Sequence, residues 1–489
     1  MESWGTLKNL FWHSSSAPLL FHSGLFLFLF SLFLVGYAMV AGKKTARNIF
    51  IILFSFYFYY MTSGFFLLLL VATISLDFLF SHLISTQKKE WARKLFLLIG
   101  ILFSLSFLLY FKYKDFFIAN YNSILGTHYS IIKLVLPIGI SFYTFQSISF
   151  LVDIYKKKMA MPTYLDYLMF MSFFPHLIAG PIVRATSFLP QAAKKIFITK
   201  ENISEGLFLI SKGLIKKAII GDFIAQYSDI VFSQPTGFSG TEHFFATLCY
   251  TFQIFFDFSG YTDMAIGIAL LLGFRLGINF LSPYKSTNIT EFWRRWHISL
   301  SSWLRDYIYI PLGGNAKGFS LHLLFLLVTM LIGGFWHGAD WKFIFWGGAH
   351  GLLLIFHKLY VKVFRHDSNI GAYLLLKPFY WVFTFSCVAL LWIPFRALNM
   401  NDAVIIYKSI FSSFSFKMVK LISENNPMLV LIFGIGLALA LLPSIVKEFI
   451  RIKYDKMHFI LKIAVLAIII QLIIQMRTVD VHPFIYFDF

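Results

Sequence analysis

The chain has 489 residues, 58% of them hydrophobic, 20% aromatic and only 13% charged, with a mean hydropathy of +0.74. This excludes a soluble globular domain, and the long continuous apolar runs exclude a transmembrane barrel, whose strands read as alternating segments of about ten residues. The net charge of +19 lies in basic clusters between apolar runs, which the positive-inside rule explains without a nucleic-acid partner.

The expected class is therefore an all-α, polytopic integral membrane protein of one domain. Leu19 to Val40 is long enough to cross the bilayer, and too long after too little basic charge to be a cleaved signal peptide. Lys43, Lys44 and Arg47 follow, then a hairpin turning near Thr62 to Gly64, then Lys88, Lys89, Arg93 and Lys94. Both basic clusters read as cytoplasmic, which places the N-terminus outside. Arg93 to Phe111 and Ile131 to Tyr155 make the next crossings, the second ending at Lys156, Lys157 and Lys158. Asp166 to Ile182 is interrupted by Pro175, Gly180 and Pro181 and reads as a re-entrant or kinked segment beside a cavity.

Ile203 to Phe232 contains Lys212, Lys216 and Lys217, so it either crosses or lies at the interface. His243 to Phe274 carries two intramembrane carboxylates, Asp257 and Asp263. Runs from near Lys342, Leu374, Pro427 and Leu461 bring the total to about twelve crossings and leave the C-terminus outside. The chain divides into N-terminal spans (1–135), a core (136–365) and C-terminal spans with an aromatic tail (366–489). No repeat of twenty to fifty residues is sustained. Cys249 and Cys387, far apart in apolar runs, suggest neither a disulfide framework nor a thiolate metal site.

The chemistry concentrates between Glu291 and Gly351. On a continuous helix through EFWRRWHISLSSWLRD, Arg294, Ser301 and Arg305 share a polar stripe opposite Trp296, Leu300, Trp303 and Leu304, with His297 at the boundary. Such a helix lies along the cytoplasmic face, either as an interfacial anchor or as an entrance rim where Arg294, Arg295 and Arg305 bind a phosphate-bearing donor. His337 ends an apolar run between Gly333, Gly334 and Gly338, where backbone can approach a neighbour closely. Imidazole titrates near neutrality and can take a proton from a hydroxyl; a structural histidine between helices is the plainer reading. His350 follows thirteen positions later, and His176 and Trp336 are candidate supporting residues. No HExxH spacing or accompanying thiolate or carboxylate set suggests zinc.

RRWHISLSSWLRDYIYIPLGGN, GGFWHGADW, WGGAHG, FFPHLIAGP and FDFSGYTDMAIG together resemble the membrane-bound O-acyltransferase family, in its bacterial alginate O-acetylation branch. The branch is similar to the membrane subunits of peptidoglycan and cellulose acetylation and, more distantly, of teichoic-acid D-alanylation. The resemblance implies helices around a central tunnel, and an acyl group passed from a cytoplasmic thioester, acetyl-CoA or an acyl carrier protein, to a hydroxyl on the far side. It implies that His337 is the family's invariant histidine and His297 the second, more cytoplasmic one; the chemistry of the residues then gives general-base work to His337, assistance to His297 and support or packing to His350. No tightly bound cofactor is required, and an extracytoplasmic acetyltransferase partner is expected. Location in a bacterial inner membrane, in contact with lipid, follows. The tail Phe484-Ile-Tyr486-Phe487 resembles the aromatic terminus of the D-alanylation accessory peptide, which makes Tyr486 a candidate acyl relay; interfacial aromatics are the plainer reading. The alternative function is an ion-coupled transporter or lipid flippase using Asp257 and Asp263, with Arg275 nearby.

Overall fold

The computed structural model describes residues 12–14, 18–132, 134–178, 180–364, 370–476 and 484–485, and these form helices joined by short loops, with no strand among them. In lipid every backbone N–H and C=O needs an internal partner, which a helix supplies within one segment. Among the described residues, seven helices are long and apolar enough to cross a membrane, or eight if the bent pair Phe416–Asn425 and Pro427–Leu441 is one span. That is fewer than the dozen apolar runs of the sequence. Some runs form shorter helices, as in Gly24–Val40 (17 residues) and Ile140–Tyr155 (16 residues), and others carry charge, as in Lys200–Leu214.

Two expected boundaries move. The crossing expected from Ile131 starts at Ile140, because Pro137 lacks an N–H and Gly139 turns the chain at a φ of 79°. The run expected to end at Phe111 continues to Leu125 through a π-helical turn, Leu109–Tyr113.

The core is organised along Gly240–Leu271, 32 residues whose most apolar window is 94% buried. A capping box starts it: Ser239 Oγ accepts the Glu242 N–H, and the Glu242 carboxylate accepts the Ser239 N–H. Beside it runs Lys200–Leu214, continued by a π-helical turn, Ile215–Gly221, into Asp222–Ser233. The two helices touch backbone to backbone, since a Cβ on Gly213 or Gly260 would lie 2.6 or 2.8 Å from the other's carbonyl oxygen. The lysine-interrupted stretch is thus packed along the core helix.

Hydrogen bonds gather the helix ends into two faces. On one, Lys44 meets Asp166, Arg47 donates to the Ala192 and Lys194 carbonyls, Arg93 donates to the Tyr155 carbonyl, and Lys447 reaches Ser282 Oγ. This is the lysine-rich face. On the other, Thr62 donates to Leu19, Tyr59 to Ile138, the Gly240 N–H to Ser413, and Lys342 to Ala397. The segment expected to be re-entrant is broken: Tyr164–Ser172 stops at Phe173, a short turn, Phe174–Leu177, follows, and Ala185–Ala193 ends again beside Arg47.

Candidate active site

Trp336 and His337 end the helix Phe319–His337, and both are buried. The next helix, Trp341–Phe364, folds back along it at a pair of glycines. A Cβ on Gly334 or Gly347 would lie 2.3 Å from the carbonyl oxygen of Phe343 or Met330, so only glycine fits this crossing.

A third element holds the helix end. Lys112 Nζ lies 2.7 Å from the Trp336 carbonyl oxygen and 3.1 Å from that of His337, and the Tyr113 hydroxyl donates to Phe335 at 2.9 Å. A helix leaves its last carbonyls without intrahelical partners, and a lysine suits them both as donor and as positive charge at the negative end of the dipole. Lys112 and Tyr113 come from the π-helical turn, a local form that recurs at functional sites.

His297 is held in another way. The single helix expected from Glu291 to Arg305 is broken: Ile289–Arg295 ends, Trp296 is extended, His297 is left-handed at φ 43°, and Ile298–Leu304 begins. Asn279 supplies the partners that a continuous helix would have given. Its backbone carbonyl accepts the Ile298 N–H at 3.0 Å, while its side-chain Oδ1 accepts the Ser299 N–H at 3.1 Å and the Ser299 hydroxyl at 2.8 Å. Periodicity could not reveal the break, because it assumes that the helix continues.

The same Oδ1 lies 3.2 Å from His297 Nδ1. A backbone N–H only donates, so the Asn279 atom facing Ser299 must be the acceptor oxygen. Nδ1 then carries the proton, and in the neutral ring the lone pair is on Nε2.

Two tryptophans join the three histidines into one buried array. Trp336 lies between His297 and His337, with ring centroids 6.3 and 4.9 Å away. Trp346 lies between His337 and His350, at 5.1 and 4.7 Å. His350 is enclosed further by Trp293 and Phe292, so it packs at the far end of the array. His176 does not join: its Nε2 is 2.9 Å from the Phe170 carbonyl oxygen, and its ring packs on Phe173 and Phe188.

His337 and Trp336 line a pocket of about 30 Å³ with Lys112, Gly139, Ser141 and Ile178. Lys112 and Leu136 also line a cavity of about 530 Å³ toward the opposite face, with Asp115, Asp222, Asp257, Lys342 and Arg396 among its walls. Buried charge of this kind is costly unless paired. Lys217 lies 2.7 Å from both Asp222 and Asp257, and Arg396 lies 2.7 Å from Asp229. The chain's tail contributes as well: the Ile485 N–H donates to Asp257 at 2.8 Å, and Phe484 is buried against Phe258 and Tyr261. Tyr486 lies outside the described residues.

The proposed donor arginines do not form one surface. Arg294 is exposed, Arg295 pairs with Glu291 at 2.6 Å, and Arg305 pairs with Asp306, which also holds Arg184. Nor do Asp257 and Asp263 share an ion site, since Asp263 pairs with Lys212 and Lys216, away from the Lys217–Asp257 pair. The transporter reading loses the joint site on which it rested. Among the described residues no three His, Cys, Asp or Glu side chains converge as metal ligands. Sequence reasoning missed Asn279 and Lys112. A polar residue amid GINFL and a lysine amid LLYFKY were the available signals.

The profile of MBOAT, the membrane-bound O-acyltransferase family, matches residues 52–393. The peptidoglycan O-acetyltransferase of Helicobacter pylori is 38% identical over 421 residues, 80% of this chain and 79% of that protein. The probable alginate O-acetylase AlgI of Pseudomonas putida is also 38% identical, over 81% of this chain and 80% of its own. A teichoic acid D-alanyltransferase of Bacillus subtilis is 30% identical over 47% of this chain and 61% of that protein. The chain therefore belongs to the membrane-bound O-acyltransferase family and is a multi-pass membrane acyltransferase.

Proposed function

We propose that this acyltransferase takes an acetyl group from a cytoplasmic thioester, acetyl-CoA or an acyl carrier protein, and delivers it to the far side of a bacterial inner membrane for O-acetylation of an exported or cell-wall polysaccharide. The observation that carries this reading is His337, buried beside Trp336 and His297 and lining a pocket whose Lys112 wall it shares with the opposite-face cavity. The lysine-rich face is cytoplasmic by the positive-inside rule, which puts both termini outside.

The acceptor hydroxyl approaches His337 from the opposite-face cavity. As its oxygen bonds to the thioester carbonyl carbon, His337 takes the hydroxyl proton; the C–S bond then breaks, and that proton passes to the departing thiolate. His297 offers a lone pair on Nε2, so it accepts a hydrogen bond from the donor. That suits it to orienting the donor rather than to polarising its carbonyl. The first acceptor is Tyr486, which follows the tail residues seated at Asp257, and an extracytoplasmic acetyltransferase takes the acetyl group from it. Absence of any acyl adduct on Tyr486 in trapped enzyme, with Tyr486→Phe fully active, would sink the relay.

The whole reading is tested with protein reconstituted in liposomes, labelled acetyl-CoA on one side and the partner with an oligosaccharide on the other. Label is expected on the acceptor with the wild type and not with His337→Ala at equal folded yield. Transfer at the wild-type rate by His337→Ala overturns it.

A further inference from the structure

The lysine-rich face carries a second concentration of charge that the histidine array does not use. Lys212 and Lys216 both reach Asp263, at 3.1 and 2.7 Å. Lys447, on the helix Ser444–Asp455, donates to Ser282, and Lys285 donates to the Leu442 carbonyl. The Leu281 N–H donates to the Arg295 carbonyl at 3.0 Å, which brings Arg295, paired with Glu291 at 2.6 Å, to the same loop. Five basic side chains thus face two carboxylates, from four separate stretches of chain, and all are partly exposed. The excess positive charge is felt locally: burial, and after it the charges of Lys285, Lys216 and Lys212, pushes Lys447 down to about 8. Burial and Arg295 lower Lys285 as well.

Three aromatic rings, Phe255, Phe280 and Phe258, stand between the basin and His297. Lys216 Nζ is 5.6 Å from the Phe255 ring centroid. Phe255 touches Phe280 and Trp296, and Phe258 packs edge-on against His297 at 4.7 Å. A like-charged cluster that its own carboxylates do not neutralise is complementary to an anion carrying more than one charge, and phosphate oxygens accept from several lysines at once.

We propose that Lys212, Lys216, Lys285, Arg295 and Lys447 form the binding site for the phosphate groups of a coenzyme A thioester. This rests on the reading of the protein as a thioester-dependent acyltransferase. It shifts phosphate recognition from the expected Arg294 and Arg305 to lysines of the core helices and of the helix Ser444–Asp455.

The test is a binding measurement, independent of transfer: titration of coenzyme A, and separately of 4′-phosphopantetheine, into the full chain in phosphatidylcholine nanodiscs. Lys447→Gln and Lys216→Gln are each expected to weaken binding about tenfold. Lys447→Arg retains most of it, and Lys156→Gln, an exposed charge loss on the same face, changes nothing. Melting curves exclude unfolding as the cause. Unchanged affinity for both probes in the double variant Lys216→Gln/Lys447→Gln overturns the site, as does an effect of those lysines on retention of phosphatidylglycerol alone. If the lysine variants weaken coenzyme A binding while the wild type transfers no acyl group, the basin stands and the acyltransfer reading falls.

Discussion

The two histidines flanking Trp336 are held by opposite means. His297 stands in a broken helix and is fixed through its side chain, by Asn279 on Nδ1. His337 ends an unbroken helix whose final carbonyls are fixed by Lys112 and Tyr113. Locking a ring nitrogen sets a tautomer, whereas locking the backbone sets only where the ring stands. The difference suits an orienting residue on one side and a residue that gains and loses a proton on the other.

The largest effect is expected at His337. His337→Ala should lower acyl transfer by about 10²–10⁴-fold, the usual contribution of general acid–base catalysis, with folded yield unchanged. Single-turnover release of thiol from labelled donor measures it. An equal loss in His297→Ala with no change in donor affinity would erase the distinction between the two rings.

Asn279→Ala attacks the His297 side alone. It removes the acceptor shared by His297 Nδ1 and Ser299, so the ring loses its fixed tautomer and the break loses its main support. Transfer should fall by roughly ten- to a hundredfold, equivalent to about 1.4–2.7 kcal/mol. Much of that loss should appear in donor affinity. A variant that alters turnover but leaves donor affinity untouched would assign Asn279 to the chemistry instead.

The class of the fold was legible because bilayer thickness and apolar run length are tied by simple geometry. Pro175 likewise announced the broken segment, since proline removes a backbone donor. The close helix approach beside His337 was legible through its glycine neighbours, and the Gly334–Gly347 crossing gives that signal its physical basis. The scaffolding was not. Asn279 precedes His297 by 18 positions and Lys112 precedes His337 by 225, and one sequence has no term that couples residues so far apart. The error at Glu291–Arg305 has the same origin, because the helix breaks for a partner in another loop.

Lys112→Met tests the backbone-held side. Losing a charge-assisted bond to two helix-end carbonyls should destabilise the fold by about 1.5–3 kcal/mol and lower turnover by only a few-fold, with donor affinity intact. Lys112→Arg should recover part of the stability. The contrast breaks if Lys112→Met weakens donor binding as Asn279→Ala does, because the two histidines would then share one support.

The smallest expected effect is also the sharpest. Ser299 gives Asn279 two of its contacts, through the backbone N–H and through the hydroxyl, and its hydroxyl oxygen also accepts the Ile182 N–H at 3.0 Å. Ser299→Ala keeps the backbone contact and the His297 contact and removes only those of the hydroxyl. If Asn279 acts by fixing the imidazole, this variant should cost about 1 kcal/mol of stability and change transfer by less than about threefold, with donor affinity as in the wild type. If Asn279 acts only by stabilising the break in the backbone, Ser299→Ala should loosen that break too and reproduce a large part of the Asn279→Ala loss. Measuring melting temperature and donor affinity on both variants separates the cases, since fixing a tautomer and bracing a turn coincide in Asn279 and part company in Ser299.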